Sequence, residues 1–201
     1  MAYSDFTIKR AEKDFGLTII EREKLFTPVP ETEISEFLRA NLEEKTSLAL
    51  AIGTEKARSE LIVADVLLEV RRIFDKQISF FSGIEFNVDS LKGLNGRCDF
   101  MLSLSPRQLM LDAPVITVVE AKKEDLVGGL GQCVAEMVAA QIFNEQEGKK
   151  LSRIYGMVTS GDDWKFLKLE NEKVFIDLDE YQIEHVEKIV GILCAMIRQE
   201  A

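Results

Sequence analysis

Val115-Ile116-Thr117-Val118-Val119-Glu120-Ala121-Lys122-Lys123 decides the reading of this chain. Its first five residues are all β-branched, and side chains stiff at χ1 favour extended backbone. No polar alternation interrupts them, so the strand is expected to be covered on both faces, as inside an α/β sheet. Glu120 and Lys122 stand at its C-terminal end. The two-residue period of a strand puts both on one face and Ala121 on the other. Ligands of α/β sheets bind beyond the carboxyl ends of the strands. Taken alone, Glu-x-Lys reads as the frayed end of a strand emerging into solvent, and it becomes informative only in company.

The preceding strand gives the pair its company. Gly96-Arg97-Cys98-Asp99-Phe100 follows the turn signal Asn95-Gly96 and opens a strand expected over Arg97–Leu104. If the two strands are neighbours, Asp99 and Glu120 meet at one end of the sheet. Two carboxylates and a backbone carbonyl make a hard-oxygen site suited to Mg²⁺ or Mn²⁺. A lysine beside such a site can orient an attacking water. On its own Asp99 reads as well as a turn or edge carboxylate.

The remaining chain is read outward from these strands. Residues 5–21 are expected to form a hairpin of two strands, around Phe6–Lys9 and Leu17–Glu21, turning at Gly16. Thr27-Pro28-Val29-Pro30 is a stiff linker, and residues 31–50 are helical in pattern, with Ile34, Phe37, Leu38 and Leu42 on one face. Residues 1–52 are read as an N-terminal extension and 53–201 as the main domain. Thr54 can cap a long helix running to about Phe74, with Leu61, Ala64, Leu68 and Val70 on its apolar side. Glu60 shares a face with Ala64, Leu67 and Leu68. Either it is drawn there by positive charge, or it sits near the helix start because the dipole favours it.

A strand over Ile78–Val88 precedes the two already named. After Val115–Ala121, a Gly128-Gly129 turn leads into a helix over about Leu130–Glu145, which carries Gln132 and Glu136 one turn apart; either can reach the site, Gln132 foremost, or both face solvent. Strands follow at Arg153–Thr159, Trp164–Leu169 and Lys173–Leu178, then a helix from about Glu180 to Arg198. From Gly53 the order is α-β-β-β-α-β-β-β-α, which predicts an α/β fold with a central mixed sheet flanked by helices.

Bulk properties limit the function. The 201 residues carry a net charge of −10, with 35 Asp and Glu against 25 Lys and Arg. Tight nonspecific nucleic-acid binding normally needs a basic surface. Such a groove would have to be local, drawn from Lys149-Lys150 with Arg153, from Arg71-Arg72 and from Lys122-Lys123. Three dispersed cysteines (Cys98, Cys133, Cys194) and one histidine (His185) argue against a zinc site or a disulfide framework. No signal sequence is visible, and no apolar stretch of the roughly 18 residues that span a bilayer is read. The expectation is a cytoplasmic protein without membrane contact.

Together, an acidic helix, Asp99 on a strand, Glu120-Ala121-Lys122 and a helix bearing Gln132 resemble the PD-(D/E)xK nuclease superfamily, whose fold is the restriction-endonuclease-like core. The resemblance covers roughly residues 54–178. It includes Thr159-Ser160-Gly161 with Trp164, similar to a Thr-x-Gly-x-x-Trp pattern in later strands of members. It implies Asp99 and Glu120 as ligands of Mg²⁺ or Mn²⁺, a carbonyl ligand from Ala121, and Lys122 serving the attacking water. Glu60 would match the acid of the first helix. Gln132 would match the glutamine of members similar to RecB-type and Holliday-junction nucleases. Cys98 stands where the family name has proline, and Glu136 where RecB-like members have tyrosine. The implied activity is metal-dependent phosphodiester hydrolysis on nucleic acid, DNA foremost. The alternative is a catalytically weak or inactive nuclease-fold binding or regulatory module, and a third reading is a structural protein with a solvated Glu-x-Lys. The N-terminal extension is expected to pack on the core or to help form a homodimer.

Overall fold

The computed structural model of the chain describes residues 1–21, 23–122 and 125–200. Val115–Ala121 forms strand β4 of the numbering that follows, and all seven of its residues are buried. The helices are α1 (Ile8–Phe15), α2 (Glu36–Ile52), α3 (Glu55–Arg58), α4 (Ala64–Ile73), α5 (Leu126–Gln146) and α6 (Val186–Glu200). The other strands are β1 (Thr18–Ile20), β2 (Ser79–Glu85), β3 (Arg97–Ser103), β5 (Ile154–Thr159), β6 (Asp163–Glu170), β7 (Lys173–Ile176) and β8 (Tyr181–Gln182). They build one mixed sheet in the order β1-β7-β6-β5-β4-β3-β2, with β8 added to β6.

Strands β2, β3 and β4 are antiparallel neighbours, and α5 is the crossover that returns the chain from β4 to the parallel β5. One face of the sheet is covered by α5, α1 and the N-terminal residues, the other by α2, α4 and α6. Leu102 pairs with Thr117 but Ser103 pairs with Val115, so β4 carries one extra residue, Ile116. That bulge resets the alternation. Beyond it Val118 faces the α5 layer, and Val119 and Ala121 face the opposite layer. Without the bulge Glu120 would point away from α5.

The long helix expected from Thr54 is present but irregular. The Thr54 hydroxyl accepts from the Ala57 N–H at 3.1 Å, as an N-cap should. Between α3 and α4, residues Ser59–Val63 make a π turn. Its extra residue rotates the helix, so the buried stripe is Ile62, Val63, Val66, Leu67 and Val70, and Leu68 is exposed. In α2 the buried face is Leu38, Leu42 and Ala49. Phe37, expected inside, is outside with the Arg72 guanidinium 5.1 Å from its ring centre.

Three boundaries differ from expectation. Residues Ile8–Phe15 are a helix and not the first strand of a hairpin. Thr7 caps it, Gly16 ends it in the left-handed region at φ 66°, and Arg10 pairs with Asp14 one turn on. Ile8, Ala11 and Phe15 have helical spacing, and the following β1 pairs with β7. The helix after β4 begins before Gly128-Gly129, because Asp125 accepts the Gly128 N–H at 2.8 Å and Leu126, Gly129, Leu130 and Gly131 are buried. The final helix starts at Val186, since β8 and a 3₁₀ turn occupy the residues before it. Helix α5 has the length and apolar composition of a membrane span, yet 67% of that window is buried within this fold.

The first 52 residues contribute to both layers. Tyr3, Phe6 and Ala11 join the α5 side, and Ile34, Leu38 and Leu42 the other. Two helical glycines seat this arm. A Cβ on Gly131 would run into the backbone of Phe6 and Thr7, and one on Gly191 into the Pro30 carbonyl. Helix propensity alone favours alanine over glycine by about 1 kcal/mol. Gly131→Ala and Gly191→Ala are nevertheless expected to destabilise the protein by about 1–3 kcal/mol each, the cost of overpacking. Urea denaturation measures the sign directly.

Candidate active site

The ladder between β3 and β4 ends at Phe100 opposite Val119. One step further out stand Asp99 and Glu120. There the Asp99 carboxylate takes over from the ladder, its Oδ2 accepting the Ala121 N–H at 2.8 Å. On the other side β4 continues against β5, and the Lys122 N–H donates to the Thr159 carbonyl at 2.8 Å. The sheet register therefore brings Asp99, Glu120 and Lys122 together at the carboxyl ends of β4 and β5.

Glu120 is 2% exposed and its carboxylate is fully engaged. Lys122 Nζ bonds Oε1, and Gln132 Nε2 donates to Oε2 at 2.7 Å. Gln132 also accepts from Lys122 Nζ at 3.3 Å, and its Nε2 donates to Glu136 Oε1 at 3.1 Å. Glu136 is fully buried, and its Oε2 has no partner among the described residues.

Burial sets the protonation of this cluster. It pushes the Glu120 carboxyl up to about 7, with the Asp99 charge adding and the Lys122 ammonium opposing. Asp99 is raised by burial against the Ala121 N–H, Lys122 and Arg97. Glu136 is pushed well above the carboxylate range by burial first and by Glu120 second. Burial works against the Lys122 charge, but the hydrogen bond and field of Glu120, then Glu55 and Asp99, more than offset it. The Cys98 and Cys133 thiols beside the cluster are raised by burial and by Glu136, which keeps them protonated and inert as nucleophiles.

Beside Asp99 a cleft of about 250 Å³ opens between β2–β3 and the α3–α4 helix, lined by Glu55, Ser59, Glu60, Gly83 and Phe100. Glu60 lines it with a side chain that is 63% exposed and lies 3.7 Å from Lys56. The apolar alignment expected for Glu60 does not occur, because the π turn moves the stripe past it. Glu55, in the first turn of α3, is the helix acid whose charge reaches both Glu120 and Lys122. Thr54 followed by an acid was its signal, since caps and first-turn carboxylates go together. Glu136, read from its place one turn after Gln132 as able to reach this end of the sheet, does join the cluster through the Gln132 amide. Another concavity, lined by His185 and Lys188, lacks this chemistry, since Lys188 Nζ is spent on the carbonyls of Phe26, Thr27 and Val29.

The basic residues read as a phosphate path do not converge here. Lys150 pairs with Glu145, and Arg153, just before β5, pairs with Glu170 and Glu200. Arg71 donates to the Ile78 carbonyl and Arg72 binds Glu69. The start of β5 and the start of β2 both lie at the sheet end opposite Glu120. Lys123 lies outside the described residues. Among the described residues, the cations at this end of the sheet include Lys122, Lys56, Arg97 and Arg58, whose guanidinium donates to the Ser160 carbonyl at 3.1 Å.

The donor set suits a hard divalent ion in kind: two carboxylates in adjacent register and a third buried carboxyl whose Oε2 has no partner among the described residues, with one lysine beside them. It is not arranged as a finished ligand cage. No group of three or more His, Cys, Asp or Glu side chains is placed to hold a metal ion among the described residues. Asp99 and Glu120, with the Ala121 carbonyl, are the residues that would hold one.

The chain matches no protein-family model, and no curated protein matches it.

A raised carboxyl pKa means that the folded state holds a proton the unfolded state has released. Glu120 therefore contributes stability fully at pH below its ordinary 4.5 and loses it as pH rises towards about 7. Against a Glu120→Gln variant, wild type is expected to lose relative stability across that window. Mn²⁺ should reduce the loss by binding the ionised site. Urea denaturation of both proteins at several pH values checks it.

Proposed function

We propose that this protein is a metal-dependent nuclease of the PD-(D/E)xK type with a restriction-endonuclease-like core. The observation that carries the reading is the β3–β4 register, which sets Asp99 beside Glu120 with Lys122 on the same strand end. The order of helix, three antiparallel strands, crossover helix and parallel strand supports it. So does Thr159-Ser160-Gly161, where the Thr159 hydroxyl accepts the Gly161 N–H at 2.9 Å and Trp164 Nε1 donates to the Gly161 carbonyl at 3.0 Å.

In this reading a bound Mg²⁺ or Mn²⁺ supplies charge neutralisation and Lewis acidity at the scissile phosphate. The protein's own groups do the rest. Asp99 and Glu120 hold the cation. Lys122, with a side chain 27% exposed, has a hydrogen-bonding head that can orient a water and favour its ionised form. Gln132 holds both Glu120 and Lys122 and limits their rotation. The neighbouring cleft beside Asp99 is where the phosphodiester backbone would approach.

One observation favours the second reading, a nuclease-fold binding or regulatory module of little or no catalytic power. The basic residues are scattered and mostly paired, and the net charge is −10. Cleavage assays on duplex DNA, single-stranded DNA and RNA in Mg²⁺ and Mn²⁺ separate the two. The nuclease reading expects wild type to cleave at least one of them. It expects Lys122→Ala to fold and lose about 10²-fold or more, the scale for a positioned catalytic group. It expects Asp99→Ala to lose metal binding as well. Absence of cleavage by wild type on every substrate hands the site to the second reading.

A further inference from the structure

Among the described acids of the cluster, Glu136 is the buried one that the proposed chemistry leaves without a task. It sits one turn after Gln132 on α5, is 0% exposed, and leaves Oε2 without a partner among the described residues. It lies on the side of the sheet where Tyr3 and Phe6 of the N-terminal arm pack with α5, among the buried Cys98 and Cys133. A buried carboxyl with an unmet oxygen costs folding free energy, and an apolar side chain of similar volume would remove that cost. Among the described residues its hydrogen-bond partner is the Gln132 amide.

That bond has a geometric consequence. An amide has one acceptor end and one donor end with two hydrogens. Gln132 turns its donor end to Glu120 at 2.7 Å and to Glu136 at 3.1 Å, and its acceptor end to Lys122 at 3.3 Å. Both hydrogens of Nε2 are spent on carboxyl oxygens. Reversing the amide would set its oxygen against the Glu120 carboxylate and its NH₂ against the Lys122 ammonium. Glu120 favours the observed orientation alone; Glu136 fixes it from a second direction and stops the side chain swinging towards the cleft.

We propose that Glu136 is a positioning residue, which locks the Gln132 amide and through it the orientation of Glu120 and Lys122. This rests on the reading that Glu120 and Lys122 carry the chemistry. Partners behind the groups that hold a metal typically account for 10–100-fold in affinity or activity.

The test uses the full chain with Glu136→Met, which keeps volume and removes the acceptor, and Glu136→Gln, which keeps an acceptor. Three readouts are taken: thermal stability, the Gln132 side-chain amide signals by NMR, and Mn²⁺ affinity by calorimetry. Glu136→Met should be at least as stable as wild type, shift the Gln132 amide signals, speed their hydrogen exchange, and weaken Mn²⁺ binding by about 10-fold. Glu136→Gln should restore the signals and the affinity towards wild type. A Glu136→Met protein that is less stable than wild type overturns the proposal, because Glu136 then holds the fold. Unchanged amide signals overturn it as well. If wild type binds no Mn²⁺, the nuclease reading fails by itself, and the amide signals still decide whether Glu136 positions Gln132.

Discussion

Burial of β4 on both faces is the constraint on which the rest of the structure depends. A strand with nothing polar to show solvent needs a layer on each side, and its parallel partner can be reached only by a crossover that supplies one of them. Helix α5 is that crossover, and it is apolar almost all round because α1 and the N-terminal residues cover its outer side. Charge is confined to the strand's end. Asp99 reaches that end because β3 stops pairing there and a side chain satisfies the next N–H in place of a backbone carbonyl.

The electrostatics of the cluster follow from the same burial. Asp99, Glu120 and Glu136 share a space with one lysine, so charge and desolvation oppose each other in every protonation state. The Lys122–Glu120 pair and the Gln132 amide resolve part of the conflict. The raised pKa of all three acids marks what is left over. Structural ion pairs settle such conflicts with complete partners, as Glu69 does with the Ser35 N–H, the Ser35 hydroxyl and Arg72. The contrast between the satisfied Glu69 and the half-satisfied Glu136 separates an acid whose partners are complete from one whose burial is only partly offset.

The sheet was legible because its evidence is local. Five β-branched residues in a row, a Pro or an Asn-Gly before a strand, and a threonine before a helix each speak for themselves, and Val115–Ala121 occurs with the expected bounds. Asp99, Glu120, Lys122 and Gln132 were legible as a set because strand neighbours and one helical turn convert spacing into proximity. What escaped depends on insertions of a single residue. The bulge at Ile116 and the π turn at Ser59–Val63 each shift a periodic pattern, and no pattern announces its own interruption. Thus Glu60 was placed on a buried stripe that passes beside it, and Glu55 was missed. The hairpin reading of residues 5–21 failed because Gly16 was taken for a strand turn when it ends a helix.

The way the N-terminal arm is seated also orders events in time. Strand β1 pairs with β7, with Thr18 opposite Lys173. The Leu25 and Phe26 N–H groups donate to Asp177, and Lys188 grips the carbonyls of Phe26, Thr27 and Val29. These partners emerge from the ribosome about 150 residues after the segments they hold. Closing such distant contacts is slow compared with local pairing. The strands and crossover helix that frame Asp99 and Glu120 are complete by Thr159, before any of those partners is made. A nascent chain would therefore assemble its acidic centre first, with Tyr3 already able to dock on Phe86 and Asn95, and spend an interval in which β1 and the Leu25–Val29 segment wait for the partners that fasten them.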